Sequence, residues 1–428
     1  MRNIRIIENK FLLAGASVLA LGALSNAASA GGFAIGEQST VFMGSASAGV
    51  AAGGSIGSMY WNPAAASSLP GTNTESSYTL ILPRSTSTVT GIESPLGSGP
   101  IPAGTPGASS GNVAIDAATG ASYGSYQVSR DLWLGMALNS PFGLATKPDN
   151  PSYMGSILGV TTKLITMDAN PTVAYKIAPG VTIGAGLQIM WAQGKLQFNE
   201  DGQGSIAQFL GTDWAFGGTA GIMIEPAKGT TIGLGYRSGM DLNLGGNFRQ
   251  PLAIAPTIPA GSYNATGSLK LPDLVTASFR QEVTPQTRLL GTVEWTNWSR
   301  FQSLDLVSDG AGGKLSIPAN WSNGWFFSLG GEYDYSPVIT LRTGVAYELS
   351  PEDDATKRFT TIPDNNRVWL NFGASYKWSE TITLDFAYSH IFVQDGAFER
   401  ASPTLPVTLT GEQVSSADLI SVGLRSQW

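Results

Sequence analysis

The chain has 428 residues, among them 53 Gly, a single His and no Cys, and carries a net charge of −7. Charged residues make up 13% of it, about half the share of a soluble domain, and Gly, Ser, Thr and Asn fill their place. This composition excludes disulfide and thiolate chemistry. It also argues against nucleic-acid binding, and no apolar run reaches the ~18 residues of a transmembrane helix.

In chain order, residues 1–30 read as an export signal. Arg2, Arg5 and Lys10 form a basic start, 11–24 an apolar stretch, and Ala28-Ser29-Ala30 a cleavage site. Residues 31–72 lack sustained alternation and are dominated by Gly, Ala and Ser. Phe33, Ile35, Val41, Phe42, Met43 and Trp61 are their apolar anchors, so this stretch reads as a compact plug rather than a charged, disordered tail.

From about Thr74 onward the apolar residues recur with period two. Val181, Ile183, Ala185, Leu187, Ile189 and Trp191 alternate with Thr182, Gly184, Gly186 and Gln188. The 368–378, 382–389 and 419–425 stretches repeat the beat. Successive strand residues point to opposite faces, so each such strand has one apolar and one small or polar face.

Turn-forming breaks near 129–131, 178–180, 226–229, 284–286, 336–337 and 378–380 alternate with longer Gly/Pro/Asn/Asp-rich segments. The latter lie near 84–112, 141–160, 193–212, 240–266, 303–322, 350–366 and 394–412. Strict alternation of short and long connections implies fourteen strands. It is the pattern of a bacterial outer-membrane β-barrel with short periplasmic turns, long extracellular loops and both termini inside. The expected fold is therefore all-β: a transmembrane antiparallel barrel over 73–428, its lumen closed by a small N-terminal plug over 31–72. A single chain closing its own barrel predicts a monomer. Trp295, Trp298, Trp325, Trp369 and Trp378 near strand ends read as interfacial girdles, and the chain stops at Trp428 on an alternating strand.

Several ordered segments resemble the FadL/TodX family of outer-membrane transporters for long-chain fatty acids and other hydrophobic compounds. They are Gly31-Gly32-Phe33-Ala34-Ile35, Glu37-Gln38-Ser39, Met43-Gly44, Ala48-Gly49 and Asn62-Pro63-Ala64. Further on come Ser140-Pro141-Phe142-Gly143-Leu144 with Thr146, Asn170-Pro171-Thr172-Val173-Ala174-Tyr175, Leu271-Pro272-Asp273 and Trp295-Thr296-Asn297-Trp298-Ser299. Ile362-Pro363-Asp364-Asn365-Asn366-Arg367 and Tyr388-Ser389-His390 complete the set. The resemblance implies a hatch containing the Asn-Pro-Ala motif and passive uptake with release sideways through a kinked third strand, here 132–144, beside an N-terminal contact at 31–35. Two features depart from the family pattern. The third long loop, 193–212, is short, and the stretch before Asn62-Pro63-Ala64 carries no carboxylate.

On this reading Gly31, Phe33, Asn62, Pro63 and Ala64 belong to the gate. Pro141 and Gly143, which break strand pairing, flank Phe142 at the opening; Phe142, Leu144, Phe209 and Leu210 are candidate apolar contacts. Strand phase turns Arg237, Arg280 and Arg342 into the lumen, together with Glu294, Glu332 and Asp385. The three Arg are either partners of wall carboxylates or receptors for a substrate carboxylate. His390 shares an outward face with Tyr388, Glu352-Asp353-Asp354 reads as a solvated loop, and no phosphate-binding loop is present. No enzyme activity, cofactor or metal is expected. The expected partners are hydrophobic small molecules, fatty acids or aromatic hydrocarbons, and the surrounding outer-membrane lipid with its lipopolysaccharide.

Overall fold

The computed structural model describes residues 31–253, 259–309 and 313–428; the export signal read over 1–30 lies outside them. Fourteen antiparallel strands among the described residues form one closed barrel. In chain order they are β1 (Thr72–Ser94), β2 (Ala117–Gln127), β3 (Leu132–Asn139 and Gly143–Thr146), β4 (Thr161–Ala178) and β5 (Val181–Asn199). Then follow β6 (Ile206–Ala227), β7 (Thr230–Arg237 and Asp241–Gln250), β8 (Gly261–Lys270 and Leu274–Thr284) and β9 (Thr287–Thr296 and Ser303–Ser308). The last five are β10 (Gly313–Pro318 and Gly324–Ser336), β11 (Ile339–Leu349), β12 (Arg367–Lys377), β13 (Ile382–Val393 and Gly396–Ala401) and β14 (Thr408–Gln427). The ring closes through β1 and β14, paired from Asn73↔Gln427 to Glu93↔Thr408. Closure leaves no sheet edge, and hydrocarbon demands this because it cannot hydrogen-bond a free backbone group.

The six short turns fall where the sequence places them. The long connections are shorter than expected at six of the seven places: 95–116 and 147–160 start later than expected, and 200–205, 251–260, 309–312 and 402–407 separate strands that pair well into the expected loops. The reason lies in β5. Its lower outward residues are apolar, with Ile183 and Leu187 exposed, whereas its upper inward residues Met190, Ala192, Leu196 and Phe198 are buried and its upper outward ones are Gln193, Lys195 and Gln197. The period of two continues, but its polarity reverses. Below, the outer face meets lipid; above, it meets water while the inner face becomes apolar. The upper halves of β7 and β8 follow the same rule, burying Leu242, Leu244, Phe248, Ala265 and Leu269. Trp325 and Trp378 sit on the outer face as girdle residues should, but Trp298 and Trp369 are 1% and 6% exposed and point into the lumen, where they pack other residues rather than an interface.

Residues 31–69 run inside the lower barrel, almost entirely buried, as a helical turn Thr40–Met43 and two 3-10 turns, Ile56–Tyr60 and Pro63–Ser67. Gly49 N–H donates to Thr292 Oγ1 at 2.9 Å, Ala51 N–H to Ser278 Oγ at 3.1 Å and Thr40 N–H to Ser77 Oγ at 2.9 Å. These hydroxyls explain the small polar inward face of the wall: they serve the plug's unpaired backbone. Its glycines allow the two backbones to touch, because a Cβ on Gly233 would fall on the Ala51 carbonyl, one on Gly235 on the Trp61 carbonyl and one on Gly184 on Ala64 N.

Gly235→Val should therefore push residues 61–62 off the wall, at a cost of about 1–3 kcal/mol for overpacking. The barrel should still fold, as read by heat-modifiable gel mobility, but conduct ions in planar bilayers. Gly245→Val, on the outer wall with open space around it, should leave conductance unchanged.

Candidate transport site

The wall is broken in β3. Between Asn139 and Gly143 the strand leaves the ladder, and β2 pairs with β3 only from Ser122↔Leu138 downward. The N-terminal segment fills the gap as a short strand. Ile35 N–H donates to the Pro141 carbonyl at 2.8 Å, Gly143 N–H donates to the Phe33 carbonyl at 3.0 Å, and Ala34 faces Phe142 in an antiparallel bridge. Pro141 has no N–H to offer, so the break asks for fewer donors than a regular strand would. On the β4 side Phe142 N–H donates to Thr166 Oγ1 at 3.0 Å and Ser140 Oγ donates to the Thr166 carbonyl at 2.7 Å. Gln38, named in the sequence only within the Glu37-Gln38-Ser39 segment and given no role there, ties the two pieces together by donating to the Ile35 carbonyl at 2.7 Å and the Ser140 carbonyl at 3.0 Å.

Above the break lies an apolar lumen. Phe33 sits in an aromatic cage, its ring centroid 4.6 Å from Trp298, 5.7 Å from Phe301 and Trp321, and 6.2 Å from Phe142. Leu144, Leu196, Phe198, Phe209 and Phe248 continue the buried apolar surface upward. Phe142, Leu144 and Phe209 are thus brought together. Leu210 is not: it is 40% exposed on the outer wall, since adjacent residues of one strand cannot both face the lumen. Trp298, Phe301 and Trp321 could have been suspected from the aromatic content of 295–325, but their inward phase depends on the interruptions of β9 and β10. Beside the cage, a cavity of about 60 Å³ touches Gly31, Ala34 and Glu37, room for about two waters.

Asn62 is the joint between plug and wall. Its side chain accepts from Ala64 N–H at 3.0 Å and donates to the Ala51 carbonyl at 2.8 Å and to the Ile222 carbonyl of β6 at 3.0 Å, while Pro63 opens the following 3-10 turn. Gly31 N–H donates to Glu348 Oε1 and Gly32 N–H to Asp364 Oδ2 at 2.6 Å.

All three luminal Arg named from the sequence are ion-paired. Arg237 meets Asp168 at 2.8 Å and donates to the Tyr60 carbonyl at 3.1 Å. Arg342 and Arg280 meet Glu332 at 2.7 and 3.3 Å. Two other buried guanidiniums, on the extracellular side, make no ion pair among the described residues. Arg358 donates to the carbonyls of Glu352 and Asp364; Arg400 donates to those of Pro318 and Thr356 and lies 4.2 Å over the Phe359 ring. Phe359 stacks on Phe301 of the cage. Their neighbour Glu352, in the 350–366 loop, has its carboxyl pushed well above the usual carboxylate range by burial and by Asp364.

Residues 21–428 match the family model described as "Outer membrane protein transport protein (OMPP1/FadL/TodX)". The chain belongs to the OMPP1/FadL/TodX family. It is 30% identical over 290 residues to a long-chain fatty acid transport protein of Salmonella typhi, covering 61% of this chain and 66% of that one. It is 29% identical over 301 residues to its namesake in Escherichia coli K12, covering 61% and 67%. The crystal structure of a Pseudomonas aeruginosa FadL homologue superposes with a TM-score of 0.83 at 20% identity, covering 92% of this chain and 99% of that one. The Ralstonia pickettii toluene transporter TbuX gives 0.65 at 17% identity, covering 92% and 99%. Family and barrel together make this chain an outer-membrane transport channel of the class that carries hydrophobic compounds, and not an enzyme.

Arg237→Met should leave Asp168 buried without its partner and destabilise this FadL/TodX-family barrel by about 3–5 kcal/mol. Arg237→Met combined with Asp168→Leu should recover most of the loss. Denaturant unfolding in detergent micelles distinguishes the two.

Proposed function

We propose that the channel takes up long-chain fatty acids by passive diffusion, with residues 31–72 as its gate and the break in β3 as a sideways exit into the membrane. The observation that carries this reading is the apolar surface running from Phe198 and Phe248 to the cage that Phe33 occupies at the break. An alkyl chain taking the place of the Phe33 ring would be desolvated at roughly 0.8 kcal/mol per CH₂. Sideways release keeps that gain, whereas release into the periplasm would forfeit it.

Arg237, Arg280 and Arg342 serve as wall supports in this scheme, since a substrate carboxylate would have to displace their partners. The head group is met by Arg400 and Arg358, which make no ion pair among the described residues and adjoin the cage through Phe359. The names of the Salmonella and Escherichia relatives support the fatty-acid assignment. A second reading, uptake of small aromatic hydrocarbons, is favoured by the four rings around Phe33 of the gate.

Uptake of labelled oleate and labelled toluene by transporter-deficient cells separates the readings. Arg400→Met should lower oleate uptake severalfold and spare toluene, and Asn62→Ala with Pro63→Ala should abolish regulated flux of both. Toluene uptake without oleate uptake would assign the channel to hydrocarbons. Neither flux from a folded barrel would overturn the transport path described here.

A further inference from the structure

The outer wall of β4–β7 carries a cationic patch that transport does not use. Lys163 of β4 stands directly opposite Lys195 of β5, and Lys195 in turn opposite Leu210 of β6, which faces Asn247 of β7. The next row up runs Thr161, Gln197, Gln208, Arg249. Neither row contains an acidic residue. Like charges placed directly opposite on one face of a sheet repel, yet Lys163 and Lys195 are held there, both half-buried.

Four other cations of the extracellular half are paired, although among the described residues the exposed Lys147 and Lys270 are not. Arg84 pairs with Asp116, Arg300 with Asp241, Lys314 with Asp305 and Lys357 with Asp353, each at 2.7–2.8 Å. Among the described residues Lys163, Lys195 and Arg249 have no ion pair. Of the nearest acids, Asp201 accepts from the Gln203 and Ser205 N–H groups and the Ser205 hydroxyl, Asp213 accepts from the Trp214 and Asn243 N–H groups, and Glu200 is buried on the inner side.

Height decides what the patch meets. Four residues below Lys195 on the same face, Trp191 stands opposite Trp214, 60% exposed, with Phe216 at 72% beneath. Such aromatics mark the upper membrane interface. Four strand residues rise ~13 Å along the strand, which puts the ammonium groups at the level of the lipid head groups of the outer leaflet, with their stems lying on apolar wall.

We infer that this patch is a binding site for the phosphorylated head group of lipopolysaccharide, its acyl chains lying along Leu187, Ile189 and Trp191 of β5. Lys163, Lys195 and Arg249 hold the phosphates, and Gln197 and Gln208, hydrogen-bonded to each other at 2.8 Å, offer amides to the sugar. The bound anion removes the repulsion between the two Lys. Because β4 is the strand beside the break in β3, the lipid would brace the wall next to the opening.

The test uses the full mature barrel refolded in lipid-free detergent, titrated with bis-phosphorylated lipid A and with the same lipid stripped of phosphate. The thermal midpoint should rise with the phosphorylated lipid only. Affinity should fall about fivefold for each cation removed in Lys163→Gln, Lys195→Gln and Arg249→Gln. In lipid-free detergent Lys195→Gln should be at least as stable as the parent, since it removes a repulsion, and it serves if another of the variants fails to fold. Equal stabilisation by the phosphate-free lipid, unchanged binding by the variants, or a Lys195→Gln barrel less stable than its parent without lipid would each overturn the assignment.

Discussion

Two backbone hydrogen bonds, Ile35 N–H to the Pro141 carbonyl and Gly143 N–H to the Phe33 carbonyl, hold this architecture in its closed state. A strand broken within a membrane barrel would leave donors and acceptors facing hydrocarbon, each costing several kcal/mol. Here the break is tolerated because the chain supplies a substitute strand from inside. Besides the packing of the Phe33 ring in its cage, the substitute is tethered at its ends, by Glu348 and Asp364 on one side and by Gln38 on the other. The wall is therefore sealed by an element that can leave it without unravelling the ring.

The reversal of polarity along the strands gives that seal its meaning. The lower barrel is polar inside because it must solvate the backbone of a buried plug; the upper barrel is apolar inside because nothing polar fills it. Interruptions at 238–240, 271–273, 297–302 and 319–323 cluster at this change. In β7 they shift the phase: buried positions are odd-numbered below, as at Arg237, and even-numbered above, as at Leu242. Trp298, Phe301 and Trp321 come from such interruptions, so the cage is built where the ladder lets go.

This explains what could be read from the sequence. The outward period of two in β5, β12, β13 and β14 is strong because lipid imposes it, and five of the six tight turns carry Pro, Gly or Asp, the sixth being Trp378-Ser379-Glu380. Strand ends above the membrane were hidden because polar outward residues with Gly neighbours look like loop. Phe209 and Leu210 show the limit of reading a segment without its phase. Ion pairing hid in another way: Asp168 and Arg237 lie far apart in sequence, and only barrel closure brings them to 2.8 Å. Arg358 and Arg400 gave no signal, since nothing local distinguishes a buried guanidinium in a loop from a solvated one.

The central claim is that the 33–35 strand must leave β3 for substrate to pass. The chain has no Cys, so Ala34→Cys with Phe142→Cys introduces a single pair at a bridge whose non-hydrogen-bonded geometry brings the Cα atoms to ~4.5 Å, within disulfide range. Oleate uptake should be blocked in the oxidised channel and restored by reductant. Equal uptake in the oxidised and reduced states would contradict the account.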